Sequence, residues 1–559
     1  MMGCRKATQK TEVRSLADDS GMGTIGGEAD AGAYLNMVKN KKHYCDLLVI
    51  GSGIAGLCAA ITAAEQGLDV IVINKEAAAE ESNTYYAQGG IVSQAKDDTP
   101  QLLIDDIIQA GDGISNLEAV TILATEGPAI LEEFLVKRIG VPFSRSEKGE
   151  LAYAREASHS RRRILYCMDT TGRMIEESLI TKAREIEQIH LFTNYTAIDL
   201  LTIPHHSTNP LSLYREPQAI GAYVLNNADE KVEMIFSSYT CLATGGLGRT
   251  YLHTTNPACA TGDGFAMADR AGARLINMEY VQFHPTSLFH KDADGFLISE
   301  AMRGEGARLM TKDHCPFMER YSPLGDLAPR DEVSRAIYEE MIRRGDAYVY
   351  LDIASYTQID IKKRFPNIYE KCLSLGIDIL KGPIPVVPAA HYSCGGVQVD
   401  SWGRTFLKNL YAVGEVSATG IHGANRLAST SLLEGLVWGV RAAQHIAAHF
   451  EKEKLYKESE IPPWQPPEKE EEVDPALIQQ DWLSITSTMW NYVGIIRTIK
   501  RLERGRADLS YLRNRIDDFY RRAHLTPMVL DLRNGIQTAL IVAEAAFSNR
   551  NSRGAHFLE

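Results

Sequence analysis

The sequence predicts an α/β dinucleotide-binding fold that carries a helical bundle towards its C-terminal end. Three observations carry this expectation. The apolar run Leu47-Leu48-Val49-Ile50 has the length of a buried parallel strand and leads into Gly51-Ser52-Gly53-Ile54-Ala55-Gly56. An Ala-rich helical stretch and a second strand, Asp69 to Ile73, follow at the spacing of one βαβ unit. Far downstream, Trp482, Ile485, Met489, Val493 and Ile496 recur at helical spacing and make one apolar stripe, as the packed face of a bundle requires.

Each glycine of the turn has a physical task. Gly51 permits the sharp bend, Gly53 lets backbone N–H groups approach a pyrophosphate, and Gly56 lets helix and strand pack closely. The helix N-terminus behind them offers unpaired donors and a partial positive charge, and Ser52, Ile54 and Ala55 share the loop. The acid that usually ends the second strand and binds a ribose is missing, because Asn74-Lys75-Glu76 stands there. The motif alone therefore leaves FAD and NAD both open.

Composition bounds the rest. The 559 residues are 45% hydrophobic and 23% charged, ample for several domains with full cores. A net charge of −13 disfavours nucleic acid and acidic membrane surfaces as partners. No apolar run approaches the roughly 20 residues that span a bilayer. The nine cysteines are scattered without a CxxC pair, so neither a disulfide framework nor a metal site is expected, and a reducing cytoplasm fits.

In chain order, residues 1–43 are rich in Gly, Ala, Asp, Lys and Ser and read as a disordered leader. Small residues and two glycines in Asn83-Thr84-Tyr85-Tyr86-Ala87-Gln88-Gly89-Gly90 suit a loop lying against a flat ligand. Residues 101–140 read as two surface helices. Three arginines, Arg161 to Arg163, stand beside His159 and Glu156, and in an acidic protein they suit either a solvated loop or an anionic ligand. Residues 190–240 read as short strands of a small sheet. Ala243-Thr244-Gly245-Gly246 and Thr261-Gly262-Asp263 bring backbone close to a ligand again, with Asp263 as the expected cap of the following helix. Candidate chemistry gathers in Gln282-Phe283-His284-Pro285-Thr286, in Ser299-Glu300 before Ala301-Met302-Arg303, and in Ala328-Pro329-Arg330-Asp331. His391, Glu415 and the run His422-Gly423-Ala424-Asn425-Arg426-Leu427-Ala428-Ser429-Thr430-Ser431-Leu432 complete the set, the last leading into a helix.

These runs, continuous and in order over about 44–557, resemble the flavoprotein family of succinate dehydrogenase, fumarate reductase and L-aspartate oxidase. The segment from Glu156 to Arg163 and the FHPT, EAMRGEG and LAPRD runs are most similar to its L-aspartate oxidases; Ser299 replaces a threonine there and keeps the hydroxyl. Asn83 stands where members with covalent flavin have histidine, so the resemblance implies noncovalent FAD. It further implies an α/β FAD-binding Rossmann-like domain with an inserted α+β capping domain and a C-terminal helical bundle domain. The expected layout is leader 1–43, FAD-binding parts 44–277 and 393–450, cap 278–392, linker 451–476 and helical domain 477–559. FAD contacts are implied for the Gly51–Gly56 turn, Lys75, Asn83 through Gly90, Asp263, Glu415, Ser431 and Leu432. Catalysis is implied for Arg330, His284, His391 and Glu156, and substrate binding for Arg426, Ser299 and Glu300 with the same histidines. The resemblance implies oxidation of L-aspartate to iminoaspartate with oxygen or fumarate as acceptor, the first step of quinolinate and NAD biosynthesis, with quinolinate synthase as the expected next enzyme and a docking candidate. The alternative is a soluble fumarate reductase or succinate dehydrogenase-type flavoprotein.

Overall fold

A strand that is apolar on both faces belongs in the middle of a sheet, and Leu47–Ile50 lies there. The computed structural model describes residues 44–156, 158–451 and 458–559; the expected leader, 1–43, lies outside them. Strand β1 (Tyr44–Ile50) leads through the glycine turn into helix α1 (Ile54–Glu65) and strand β2 (Val70–Ile73). β1 and β2 pair in parallel, Leu47 opposite Val70 and Ile50 opposite Ile73. Strands β3 (Ile189–Phe192), β4 (Tyr195–Ile203), β5 (Gln218–Asn226) and β6 (Lys231–Leu242) complete the order β3-β2-β1-β6-β5-β4, with Leu410–Ala412 also beside β6.

The small sheet of short strands expected over 190–240 is not separate. β4, β5 and β6 are 9, 9 and 12 residues long and continue the central sheet antiparallel to one another. β6 is long because its two ends have different partners: Lys231–Phe236 pairs with β5, and Phe236–Leu242 pairs with β1.

The helices expected between 101 and 140 are Pro100–Ala110 and Leu117–Leu131, the first capped by the Thr99 hydroxyl. Helix α2 (Asp263–Arg270) follows the central sheet. Next come β7 (Val281–Leu288), β8 (Arg308–Met310), helix α3 (Arg330–Arg344), β9 (Val349–Asp352) and β10 (Ile384–Ser393). The four strands form an antiparallel sheet in the order β7-β10-β9-β8, with their own core around Leu309, Val333, Ile337, Leu351 and Ile384. The chain then returns to the central sheet and enters helix α4 (Thr430–Ala448), which packs on α1. Gly439 allows that approach, since a Cβ there would lie 2.5 Å from the Ala55 carbonyl oxygen.

Helices α5 (Pro475–Tyr492), α6 (Ile499–Tyr520) and α7 (Pro527–Ser548) close the fold. Of the apolar stripe, Ile485, Met489, Val493 and Ile496 are buried, while Trp482 is partly covered. In the segment read as a linker, Ile461 is buried and the Tyr223 hydroxyl donates to the Pro462 carbonyl at 2.6 Å, so this part is laid down on the sheet. No helix among the described residues is long and apolar enough to cross a membrane.

Candidate active site

The glycine turn opens onto a cleft running from the end of β2 to the cap sheet. Gly51 has φ +115°, and a Cβ there would sit 2.2 Å from the Ala243 carbonyl oxygen. That close approach of β1 and β6 sets the floor. Thr84 accepts the Ile54 N–H at 3.1 Å and so fixes the start of α1. Ser52, Gly53, Ile54, Ala55, Asn83, Thr84, Tyr86 and Ala87 all line the cleft. Two buried wall atoms, Asn83 Oδ1 and Thr244 Oγ1, have no hydrogen-bond partner, as expected of groups that face a polar ligand. A long cleft with a helix N-terminus at its middle fits FAD.

At the β2 end, Lys75 stands on the wall with Asp263. Its ammonium donates to Thr261 Oγ1, Asp263 Oδ2 and Asp531 Oδ1, each at 2.8 Å. Burial works against that charge, but Asp263 and Asp531 outweigh it and raise the Lys75 pKa. Asp263 is not the cap that the sequence suggested. Gly262 holds the cap position in a left-handed conformation, and Asp263 is the first helical residue with its carboxylate turned to Lys75.

Near the middle, Glu415 accepts from Asn83 Nδ2 at 2.8 Å and from the Ser393 N–H at 3.0 Å. Burial pushes its carboxyl up to about 7. Ser431 and Leu432, at the start of α4, line the same stretch.

At the far end the cleft meets a cluster of charge. Arg330 opens α3 and donates to Glu300 Oε2 at 2.6 Å and to Gln282 Oε1 at 3.1 Å. Arg426 donates to the same Gln282 oxygen at 3.3 Å and to Ser431 Oγ at 2.6 Å, and its guanidinium lies 4.5 Å from the Tyr392 ring centre. Arg303, fully buried, lies 3.4 Å from Glu300. The rings of His284 and His391 are 5.2 Å apart, and His391 Nδ1 shares a 2.7 Å hydrogen bond with the Thr255 hydroxyl. Burial, with Arg330 adding to it, lowers the pKa of His284 well below the usual imidazole value; burial and Arg426 do the same to His391. Glu156 accepts from Ser429 Oγ at 2.8 Å, and burial raises its carboxyl although Arg330 opposes the rise. For Glu300 burial acts in the same direction, but Arg330 and Arg303 prevail and hold it below the ordinary range. Ser299 is buried, its hydroxyl accepting the Ala301 N–H at 3.3 Å.

The residues singled out in the sequence thus divide by place. His391, Arg426, Glu415, Ser431, Leu432, Lys75 and Asp263 face the cleft. Arg330, His284, Glu156 and Glu300 gather behind its cap end. Tyr85, Gln88, Gly89 and Gly90 are set back from the lining: a Cβ on Gly89 would meet Glu156 at 2.7 Å, and one on Gly90 would meet Ile164 and Leu165 at 2.3 Å. Gly56 packs against the Gly51 carbonyl. The arginine run does not gather about a ligand. Arg161 and Arg162 are exposed, and Arg163 is fully buried between Asp98, 2.8 Å away, and Asp106 at 2.5 Å. His159 is buried too, with Nε2 on the Ala428 carbonyl at 2.9 Å. Among the described residues no cluster of His, Cys, Asp and Glu could hold a metal.

Sequence reasoning placed Gln282 in a candidate run without giving it a role; its amide oxygen joins the two arginines while its nitrogen donates to Asn425 Oδ1 at 2.7 Å and the Arg426 carbonyl at 2.8 Å. Its place two residues before His284 on a strand puts both side chains on one face, which was the available signal. Asp531 was missed, and nothing local to it points to the cleft.

Comparison with known proteins agrees with this geometry. Residues 46–432 match the family model described as FAD binding domain, and residues 483–559 match that of the fumarate reductase flavoprotein C-terminus. The L-aspartate oxidase of Yersinia pestis is 43% identical over 93% of this chain and 97% of its own. That of Acinetobacter baylyi is 42% identical over 92% of this chain and 93% of its own. An E. coli quinol fumarate reductase flavoprotein is 29% identical and superposes with a TM-score of 0.80, covering 92% of this chain and 91% of that one. The matching span, the dinucleotide turn and the ordered charge cluster come together in one assignment: the chain belongs to the L-aspartate oxidase family of FAD-dependent oxidoreductases.

Proposed function

We propose that this chain oxidises L-aspartate to iminoaspartate in the pocket formed where the cleft meets the cap sheet. The observation that carries the reading is the pair of guanidiniums, Arg330 and Arg426, tied to one Gln282 oxygen. Arg330, Arg303 and Arg426 stand against two carboxyl groups, Glu300 and Glu156, so the pocket stays positive and suits a dianion. Two planar forks at one end of a cleft match two carboxylates of a short diacid. Arg426 has no carboxylate partner among the described residues, which leaves it the freer of the two.

His284 and His391 stay neutral around pH 7, since burial depresses both, and each can then offer a hydrogen bond without adding charge. Glu156, beside Arg330, is placed to meet the substrate ammonium, which a diacid without an amine lacks. Gln282 and Tyr392 hold the arginines in register, and the cap sheet keeps water from the reacting carbon. FAD, held along Gly51–Ala55, Asn83, Thr84, Asp263, Glu415, Ser431 and Leu432, supplies the two-electron acceptor when bound. The substrate ammonium proton passes to a group with a free lone pair, Glu156 or one of the neutral imidazoles, while Arg330, which as a guanidinium holds its own proton, orients the substrate carboxylate. Oxygen or fumarate then takes the electrons, and an enzyme such as quinolinate synthase would consume the unstable imine.

Anaerobic addition of L-aspartate to the holoenzyme tests this, with flavin absorbance followed near ~450 nm, where the oxidised cofactor absorbs. Bleaching by L-aspartate and not by succinate is the expected result. Retained colour with aspartate, together with reoxidation of chemically reduced protein by fumarate alone, would make it a fumarate reductase.

A further inference from the structure

We propose that one face of α7, formed by Asp531, Asn534 and Thr538, is a positioning element for the adenosine half of FAD, acting through Lys75 and Asp263. The proposal rests on FAD as the ligand of this cleft. The three residues stand at i, i+3 and i+7, so they share one face of the helix. That face grips the turn into α2 at successive points. Asp531 Oδ1 takes the Lys75 ammonium at 2.8 Å and lies 3.3 Å from Thr261 Oγ1. Asn534 Nδ2 donates to Asp263 Oδ1 at 2.9 Å, and Asn534 Oδ1 accepts from Arg270 at 2.9 Å. The Thr538 hydroxyl donates to the Gly262 carbonyl at 2.9 Å. A Cβ on Gly262 would come within 2.6 Å of Thr538, so helix and turn are already in contact.

The donor and acceptor count shows what this contact does. An ammonium has three N–H bonds, and Lys75 uses all three on Thr261, Asp263 and Asp531. It keeps none for a pyrophosphate, so its part is to orient Asp263. A carboxylate accepts about four hydrogen bonds. Asp263 Oδ1 already receives Thr261 and Asn534, while Oδ2 receives only Lys75. One accepting direction therefore remains on a carboxylate that lines the cleft beside the end of β2. This is where a dinucleotide fold places the acid for the adenosine ribose hydroxyls, and β2 itself ends without one. Asp263 fills that role from another element, and α7 holds it in place.

Flavin-free full-length protein titrated with FAD, its 2′-deoxyadenosine analogue and FMN, which lacks adenosine, tests the assignment by quenching of flavin fluorescence. Asp531→Ala should weaken FAD by about 10- to 100-fold, the scale of a lost hydrogen bond to a charged group. FMN should stay within about twofold of the parent. Equal weakening of FAD and FMN, or unchanged FAD affinity, would overturn the proposal. If Asp531→Ala does not fold, Asp531→Asn keeps the shape; the preference for FAD over the deoxy analogue should then shrink, and an unchanged preference would overturn the role. Failure of the unaltered protein to bind FAD would instead remove the flavin reading itself.

Discussion

The two ends of the cleft are built from the same kinds of side chain and finished in opposite ways. At the β2 end one cation meets two carboxylates and a hydroxyl, and every donor of Lys75 is used. At the cap end three guanidiniums meet two carboxyl groups, and Arg426 reaches only neutral oxygens. The first arrangement has its charge balanced before any ligand arrives and leaves only an accepting direction on Asp263 to offer. The second holds charge in reserve, and burial makes that reserve costly unless an anion settles it. On the proposed function, the difference separates a site for a molecule that stays from a site for one that comes and goes.

Removing the reserve is the strongest way to break this contrast. Arg426→Leu should lower kcat/KM for L-aspartate by about 10²- to 10⁴-fold, the usual scale for deleting one partner of a buried charged cluster. Flavin content should stay at the parent level, because the β2 end is untouched. A fall in flavin content as large as the loss of activity would show that the two ends are not independent.

The next test acts on the floor between them. Gly51→Ala sets a Cβ 2.2 Å from the Ala243 carbonyl oxygen at φ +115° and should cost about 3 kcal/mol of stability through overpacking and backbone strain. The protein should purify without flavin and unfold at lower temperature in a thermal melt. A variant with full flavin and an unchanged melt would mean that the strand approach is not what shapes the floor.

The smallest effect belongs to Glu415, which stands between the ends and holds its proton up to about pH 7 against an ordinary carboxyl value of 4.5. A raised pKa in the folded state means that its contribution is full below pH 4.5 and is lost as pH rises through about 7. In flavin-free protein this loss should reach about 1–3 kcal/mol by pH 8, and Glu415→Gln should flatten the decline. Urea midpoints at pH 5 and pH 8 measure it; equal slopes for parent and variant would contradict the assignment.

How far the sequence foretold these ends follows from how local their causes are. The glycine turn was legible because steric freedom is a property of single residues. The arginines and histidines of the cap end were legible as ordered runs, although nothing in a run shows that Gln282 joins Arg330 to Arg426 across 48 and 144 positions. Arg163 misled for the same reason. Its burial depends on Asp98 and Asp106, 65 and 57 residues earlier, and a run of three arginines reads as exposed until those acids fold beneath it. Strand lengths over 190–240 were misjudged because β6 draws its length from two different partners.

Lys75 and Asp531 are 456 residues apart, so a site whose turn is synthesised early is completed by a helix made 456 residues later. Synthesis at about 5–20 residues per second makes that interval tens of seconds long. During it the glycine turn and its strands exist without the helix that steadies Asp263, and the cofactor has only part of its binding surface. Tight flavin binding is therefore expected only after α7 has been made and folded, with the cofactor acting late, as a seal on the paired elements.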